Sequence, residues 1–421
     1  MRNRYILFFL SFLFFSCGTS KKAQYSKEMN DVFLERLMQL KPEYFSSILS
    51  NRDSLNVQII YTKIDRTKKN KPVFSNYNFN LNKHYFYPAS TVKMPIAFLA
   101  LEKLNDLNIA GVNKYTTMLT DSASDKQQIV YNSPTAIDCR PTIANYIKQI
   151  FLVSDNNAFN RLYEFIGQET IQQKLAAKGY NNAIIRHRLQ TVLTDEQNRS
   201  TNPVSFYDTA GNLLYHQPAK YSTAAFQQFD AKAGKGYYKG NQLINESFDF
   251  STKNRISLQD LHDILQSVLF PESVQPAQRF NLTNDDYDFV HHWMSAYPGE
   301  SKYPYYDTVN YRNTYCKFLL FGSEKVEIPN HIRIFNKVGD AYGFLTDIAY
   351  ITDKKNNVEF MLSATISCNS DGIYNDDKYD YETIGYPFMK QLGQLIYDYE
   401  LRRKRKHHPN LAQFSINYQN Q

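Results

Sequence analysis

Apolar residues recur along this chain with two different periods, and the switches between them mark out its elements. Met29, Phe33, Leu34, Leu37 and Leu40 fall at helical spacing, so 28–49 is expected to form one amphipathic helix. NVQIIYTKID (56–65) reads as a strand, and PVFSNYNFNL (72–81) as its hairpin partner across a Lys/Asn turn. From 88 to about 190 the signals are helical, with turns around Gly111 to Asn113 and Asn132 to Pro134. Residues 201–252 are polar, rich in Gly, Asn and Tyr and weakly periodic, which predicts a long loop or insertion. LQDLHDILQSVLF (258–270) and DFVHHWM (288–294) return to helical spacing. HIRIFNKV, GFLTDIAYIT and VEFMLSATIS are then three strands, followed by a last helix from about 384 to 406. Strands at both ends with helices between them predict an α/β (α+β) class. Its antiparallel sheet would be built from both chain ends and flanked by helices, beside an all-α lobe.

The N-terminus changes this picture. Arg2 and Arg4 precede an apolar run from Tyr5 to Phe15, and Ser16-Cys17 follows. The run is too short to span a bilayer and has the layout of a secretory signal. A cysteine placed directly after it resembles a bacterial lipoprotein signal, which implies lipidation of Cys17; an ordinary cleaved signal with an incidental cysteine is the alternative. The expected organisation is a signal at 1–17, a tether at 18–28, a catalytic domain at 29–406 with an insertion at about 191–252, and a tail at 407–421. The chain is then expected at the bacterial cell envelope, on the periplasmic side, touching the membrane through its lipid anchor and otherwise monomeric.

The formal charge of +7 changes little. Much of the excess lies in Arg2, Arg4, Lys21, Lys22 and the run RRKRK at 402–406, so no nucleic-acid partner is expected. RRKRK itself reads as a solvated helix end. Cys139, Cys316 and Cys368 lack metal spacing and are expected to be small buried residues. No metal site and no cofactor is expected.

Candidate chemistry starts at YPASTVKMP. Ser90 and Lys93 stand three positions apart, so on a helix they face the same way, and a desolvated lysine can take the serine proton. Further on stand Ser154-Asp155-Asn156, ahead of an apolar-periodic helix, and Lys337-Val338-Gly339 on a strand. Each short motif alone has a bland reading: a helix start, an N-cap, a common strand triplet. Their order is not bland. S-x-x-K, S-D-N and K-x-G in succession resemble the signature of penicillin-recognising serine enzymes, the class A β-lactamases and penicillin-binding proteins. SDNNAFNRLYEFIG and KVGDAYGFLTDIAYI are similar to that family's S-D-N helix and K-T-G strand pair.

The resemblance implies an active-site-serine acyl hydrolase acting on a β-lactam or a related cell-wall peptide or amide. It assigns Ser90 as nucleophile, Lys93 as its base or relay, and Ser154 and Asn156 as the proton shuttle and amide holder. Lys337 and Gly339 would bind substrate, and the backbone N–H groups of Ser90 and Asp340 would form the oxyanion hole. Two positions depart from the pattern. Val338 stands where the family has a hydroxyl residue that helps hold the substrate carboxylate. The loop glutamate that positions the deacylating water has no obvious counterpart. IIRHRLQ (184–190) offers Arg186, His187 and Arg188, while Glu196 and Glu246 are further away, and 183 positions separate Ser154 from Lys337. The alternatives are therefore a D,D-peptidase or penicillin-binding-type amidase with slow deacylation, or a catalytically silent cell-wall-binding lipoprotein.

Overall fold

The computed structural model describes residues 32–418. The signal segment, Cys17 and the tether lie outside the described residues. The expected first helix is broken in two, α1 (32–39) and α2 (Pro42–Ser50). The cause is Pro42, which biases the residue before it away from helical backbone; Lys41 sits at φ −130° and ψ 62°.

Five antiparallel strands form the main sheet: β1 (Gln58–Arg66), β2 (Pro72–Phe79), β3 (Ile332–Ala341), β4 (Phe344–Asp353) and β5 (Val358–Ser367). Their spatial order is β3-β4-β5-β1-β2, so the two chain ends meet where β1 pairs with β5. The period of two sorts the side chains between two cores. Ile59 and Tyr61 face one cluster with Leu345, Ala349, Phe360 and Leu362, covered by α1, α2 and the last helix, α9 (Tyr386–Arg402). Ile60, Ile64, Ile348, Tyr350 and Met361 face the other, against α7 (Leu258–Leu269) and α8 (Asn284–Ser295). Strands β4 and β5 are covered on both faces, which is why their sequences run nearly continuously apolar.

Between β2 and α7 lie α3 (Lys93–Leu107), α4 (Ile143–Val153), α5 (Asn156–Ile166) and α6 (Gln168–Ala177), which form the helical lobe. A small three-stranded sheet, Thr117–Thr120, Val204–Tyr207 and Leu213–Gln217, is added to it. The segment expected as a loop thus carries a series of short strands. One of them, Gly236–Lys239, pairs in parallel with Ile373–Tyr374 and so ties the segment back to the C-terminal part of the chain.

Two expectations change, one for the basic run and one for a cysteine. In the RRKRK run, Arg403 and Arg405 are not solvated: both bond to the fully buried carboxylate of Glu400, which also accepts from Tyr61 of β1, and Arg403 reaches Asp65. Their burial locks the end of α9 onto the sheet. Among the cysteines, Cys316 and Cys368 are buried as expected, but Cys139 is exposed. It occupies a left-handed turn (φ 56°) whose backbone closes from Ser133 N–H to Cys139 C=O, leaving its side chain outside.

A second buried pair joins β1 to β5: Arg66 meets Glu359 through Nε at 2.5 Å and Nη2 at 2.6 Å, and Tyr350 donates to the same carboxylate at 2.7 Å. Removing one partner strands the other charge. Arg66→Met is expected to destabilise by about 3–5 kcal/mol, whereas Arg66→Met with Glu359→Met costs much less. Denaturant unfolding of the two variants checks this.

Candidate active site

Between Phe86 and Glu102 every residue is buried except Ser90. Pro88 and Ala89 lead into a 3-10 turn, Ala89–Val92, that runs directly into α3. Ala89 is held in the left-handed region at φ 46°, a costly conformation for a residue with a Cβ. Thr91 secures the turn by donating both its backbone N–H (3.0 Å) and its hydroxyl (2.6 Å) to Pro88 C=O. The result is a serine carried at the rim of an otherwise walled-in segment. It lines a cavity of about 420 Å³ together with Asn156, Gln190, Asp340 and Tyr342.

Strand β3 passes against this turn. A side chain at Gly339 would stand 2.7 Å from Pro88 C=O and 2.9 Å from the Ser90 and Thr91 nitrogens, so only glycine permits the approach. Val338, on the other face of the strand, is turned into the core beneath the sheet and presents nothing to the cleft.

The S-D-N triplet is split between two helices. Ser154 ends α4 in a left-handed conformation (φ 60°) and Asp155 caps α5 by accepting from Ala158 N–H at 2.8 Å. Asn156 is the first residue of α5. This sharp corner aims the Ser154 hydroxyl at two lysines. Lys337 Nζ donates to Ser154 Oγ at 2.8 Å and to Val338 C=O at 2.8 Å. Lys93 Nζ lies 3.3 Å from the same hydroxyl and also donates to Ser154 C=O. The bonds of Lys93 thus go to Ser154 rather than to the Ser90 hydroxyl on its own turn. Both lysines are almost fully buried, at 0% and 2% exposure. Burial first, and then the neighbouring Lys337 charge, hold Lys93 well below the usual lysine value. Burial brings Lys337 down to about 8. A lysine so desolvated keeps a lone pair available as a base. Ser154 accepts with its lone pairs, which leaves its own proton to be passed on.

The opposite wall carries what the sequence could not place. Gln190 Oε1 accepts from Asn156 Nδ2 at 2.7 Å, and Gln190 lines the cavity with Ser90. An amide there can orient a water but cannot act as a base. His187 is fully engaged: Nδ1 donates to Arg188 C=O at 2.7 Å and Nε2 accepts from Asn254 N–H at 3.1 Å. Burial pushes it down to about 4, so it stays neutral. Glu196 is exposed and accepts from Tyr221 at 2.6 Å, and Glu246 is exposed; neither lines the cavity. Asp195 does line it, but pairs with Arg186 at 2.7 Å.

The sequence profile of the Beta-lactamase enzyme family matches residues 45–283, more than half of the chain, including Ser90, Lys93 and the S-D-N corner but not Lys337. Among solved structures, a beta-lactamase from Sphaerobacter thermophilus is 11% identical, with 85% of this chain and 96% of that chain covered at a TM-score of 0.47. PBP-A is 15% identical (87% and 94% covered, TM-score 0.47), and a class A beta-lactamase from Clostridium kluyveri is 15% identical (85% and 98%, 0.45). No curated protein sequence matches.

The burial of Lys337 has a measurable cost. Its folded value near 8 lies below the unfolded 10.5, so between these pH values the unfolded chain binds more protons and stability rises with pH. Lys337→Met is expected to stabilise the protein at pH 7 by on the order of 2 kcal/mol and to flatten this rise. Thermal unfolding from pH 7 to pH 10.5 measures both effects.

Proposed function

The chain belongs to the beta-lactamase enzyme family, and on that premise we propose that it is a serine acyl hydrolase whose acylation is well supplied and whose product release is slow. The observation that carries the reading is the Ser154 hydroxyl held between Lys337 and Lys93, the residue that follows the turn of Ser90. Neutral Lys93 takes the Ser90 proton as Oγ attacks the carbonyl carbon of an amide. The C–N bond then breaks, and the leaving nitrogen receives its proton through Ser154. The ester left on Ser90 is cleaved by water to a carboxylic acid and the free serine. The backbone N–H groups of Ser90 and Asp340 hold the oxyanion, a contribution of about 3 kcal/mol per donor in a dry site. Asn156 holds the substrate amide, and Lys337 attracts its carboxylate.

A β-lactam or a related cell-wall amide fits this chemistry, and an envelope location through the N-terminal signal and Cys17 would bring the enzyme to such substrates. Gln190 favours the slow-release form, a D,D-peptidase or penicillin-binding-type amidase, because the loop wall offers an amide to the second water and the one carboxylate on that loop that lines the cavity, Asp195, is paired with Arg186.

Mass spectrometry after incubation with benzylpenicillin is expected to find a persistent adduct on Ser90 and none in Ser90→Ala; an unmodified wild-type serine would sink the proposal. Acylation should fall as pH rises through about 8, where Lys337 gives up its proton. Gln190→Glu adds a base next to Asn156 and is expected to shorten the adduct lifetime by about 10²-fold, the lower end for general-base catalysis. An unchanged lifetime would place the block to release elsewhere.

A further inference from the structure

The cavity that Ser90 lines runs along the loop wall of the site. Lys93, Ser154 and Lys337 lie outside its lining, which instead runs from Ser90 past Asn156 and Gln190 to Thr252, Lys253 and Tyr342. This is the space open to the acyl part of a substrate bound at Ser90.

The charges along it are nearly all spent. Asp195 pairs with Arg186 at 2.7 Å, and Arg199 approaches it at 3.7 Å. Arg188 is bound to the buried Glu164 at 2.7 Å. His187 is neutral, with both ring nitrogens bonded. Asp340 also lines the cavity, but alternation on strand β3 sets its side chain on the face of Val338, opposite the face that Gly339 turns to Ser90. What remains is Lys253. Its ammonium forms no ion pair among the described residues and rests 5.8 Å from the ring centroids of both Phe248 and Tyr342.

The backbone beneath this lysine is fixed. The neighbouring Asn254 is fully buried, and its side chain accepts from the backbone N–H groups of Arg186 (2.9 Å) and His187 (3.2 Å) and donates to His187 C=O (3.3 Å). Its own N–H is held by His187 Nε2. The engaged histidine is therefore a pin, and what it pins is the base of a free cation at the cavity wall.

We propose that Lys253 is a specificity-determining residue that recognises a carboxylate on the acyl portion of the substrate, whose stem lies against Tyr342 and Tyr87. This rests on the reading that Ser90 is the acylated group. Two penicillins that differ by one side-chain carboxylate, benzylpenicillin and carboxybenzylpenicillin, test it. The acylation rate constant should favour the carboxylated compound in the wild type. In Lys253→Met that ratio should fall about fivefold, as expected of one partly exposed ion pair. High salt should narrow the wild-type preference. An equal ratio in the two proteins overturns the proposal. Calorimetric binding of both compounds to Ser90→Ala, with and without Lys253→Met, separates the two readings. Absence of acylation together with a Lys253-dependent binding ratio would remove the acyl-enzyme reading and sustain this one. No binding, or a ratio indifferent to Lys253, would remove this one.

Discussion

One hydroxyl, that of Ser154, is shared by two buried lysine side chains, and the surrounding structure is arranged to keep it so. Lys93 comes from the start of a helix walled in on every side, and Lys337 from the strand at the edge of the five-stranded sheet. Neither can retreat to water without displacing packed elements. Two like charges brought together in a dry site repel each other and lose hydration, and the compensation is to bind protons less tightly. The same burial that weakens the fold locally loosens the hold of both amines on their protons.

The facing wall follows a different logic. There the ionisable side chains of the loop are engaged: Arg188 by Glu164, Arg186 by Asp195, and His187 by the backbone N–H of Asn254. Such a loop is rigid and chemically quiet. Its contribution to the cleft is an amide, Gln190, and its shape. The two walls therefore differ in kind: buried lysines around a hydroxyl on one, paired charges and an amide on the other.

The parts of the site written as short local patterns were legible in the sequence. Ser90 and Lys93, the S-D-N corner, and Lys337 with Gly339 each announce themselves within a few residues, and the strands and main helices follow from their periods. The break between α1 and α2 was signalled by Pro42 but masked by the regular leucines around it. Gln190 and Lys253 were not legible. They sit in segments without periodicity and reach the cleft through tertiary bonds, Gln190 to Asn156 and Lys253 through the hold of Asn254 on His187. The arginines of RRKRK misled for a related reason. A run of charge looks solvated until a buried carboxylate such as Glu400, supplied from the same helix and shared with β1, is placed beneath it.

The closure of the sheet by both chain ends also orders events in time. Strands β3, β4 and β5 are the last of the sheet to leave the ribosome, and β1 has no partner but β2 until they arrive. Lys337 therefore joins Ser154 only after nearly the whole chain has been made, across a span of 183 residues. Contacts so distant in sequence form late and slowly. Until then Ser90 has its turn and its helix, but the Ser154 hydroxyl has only one of its two lysines.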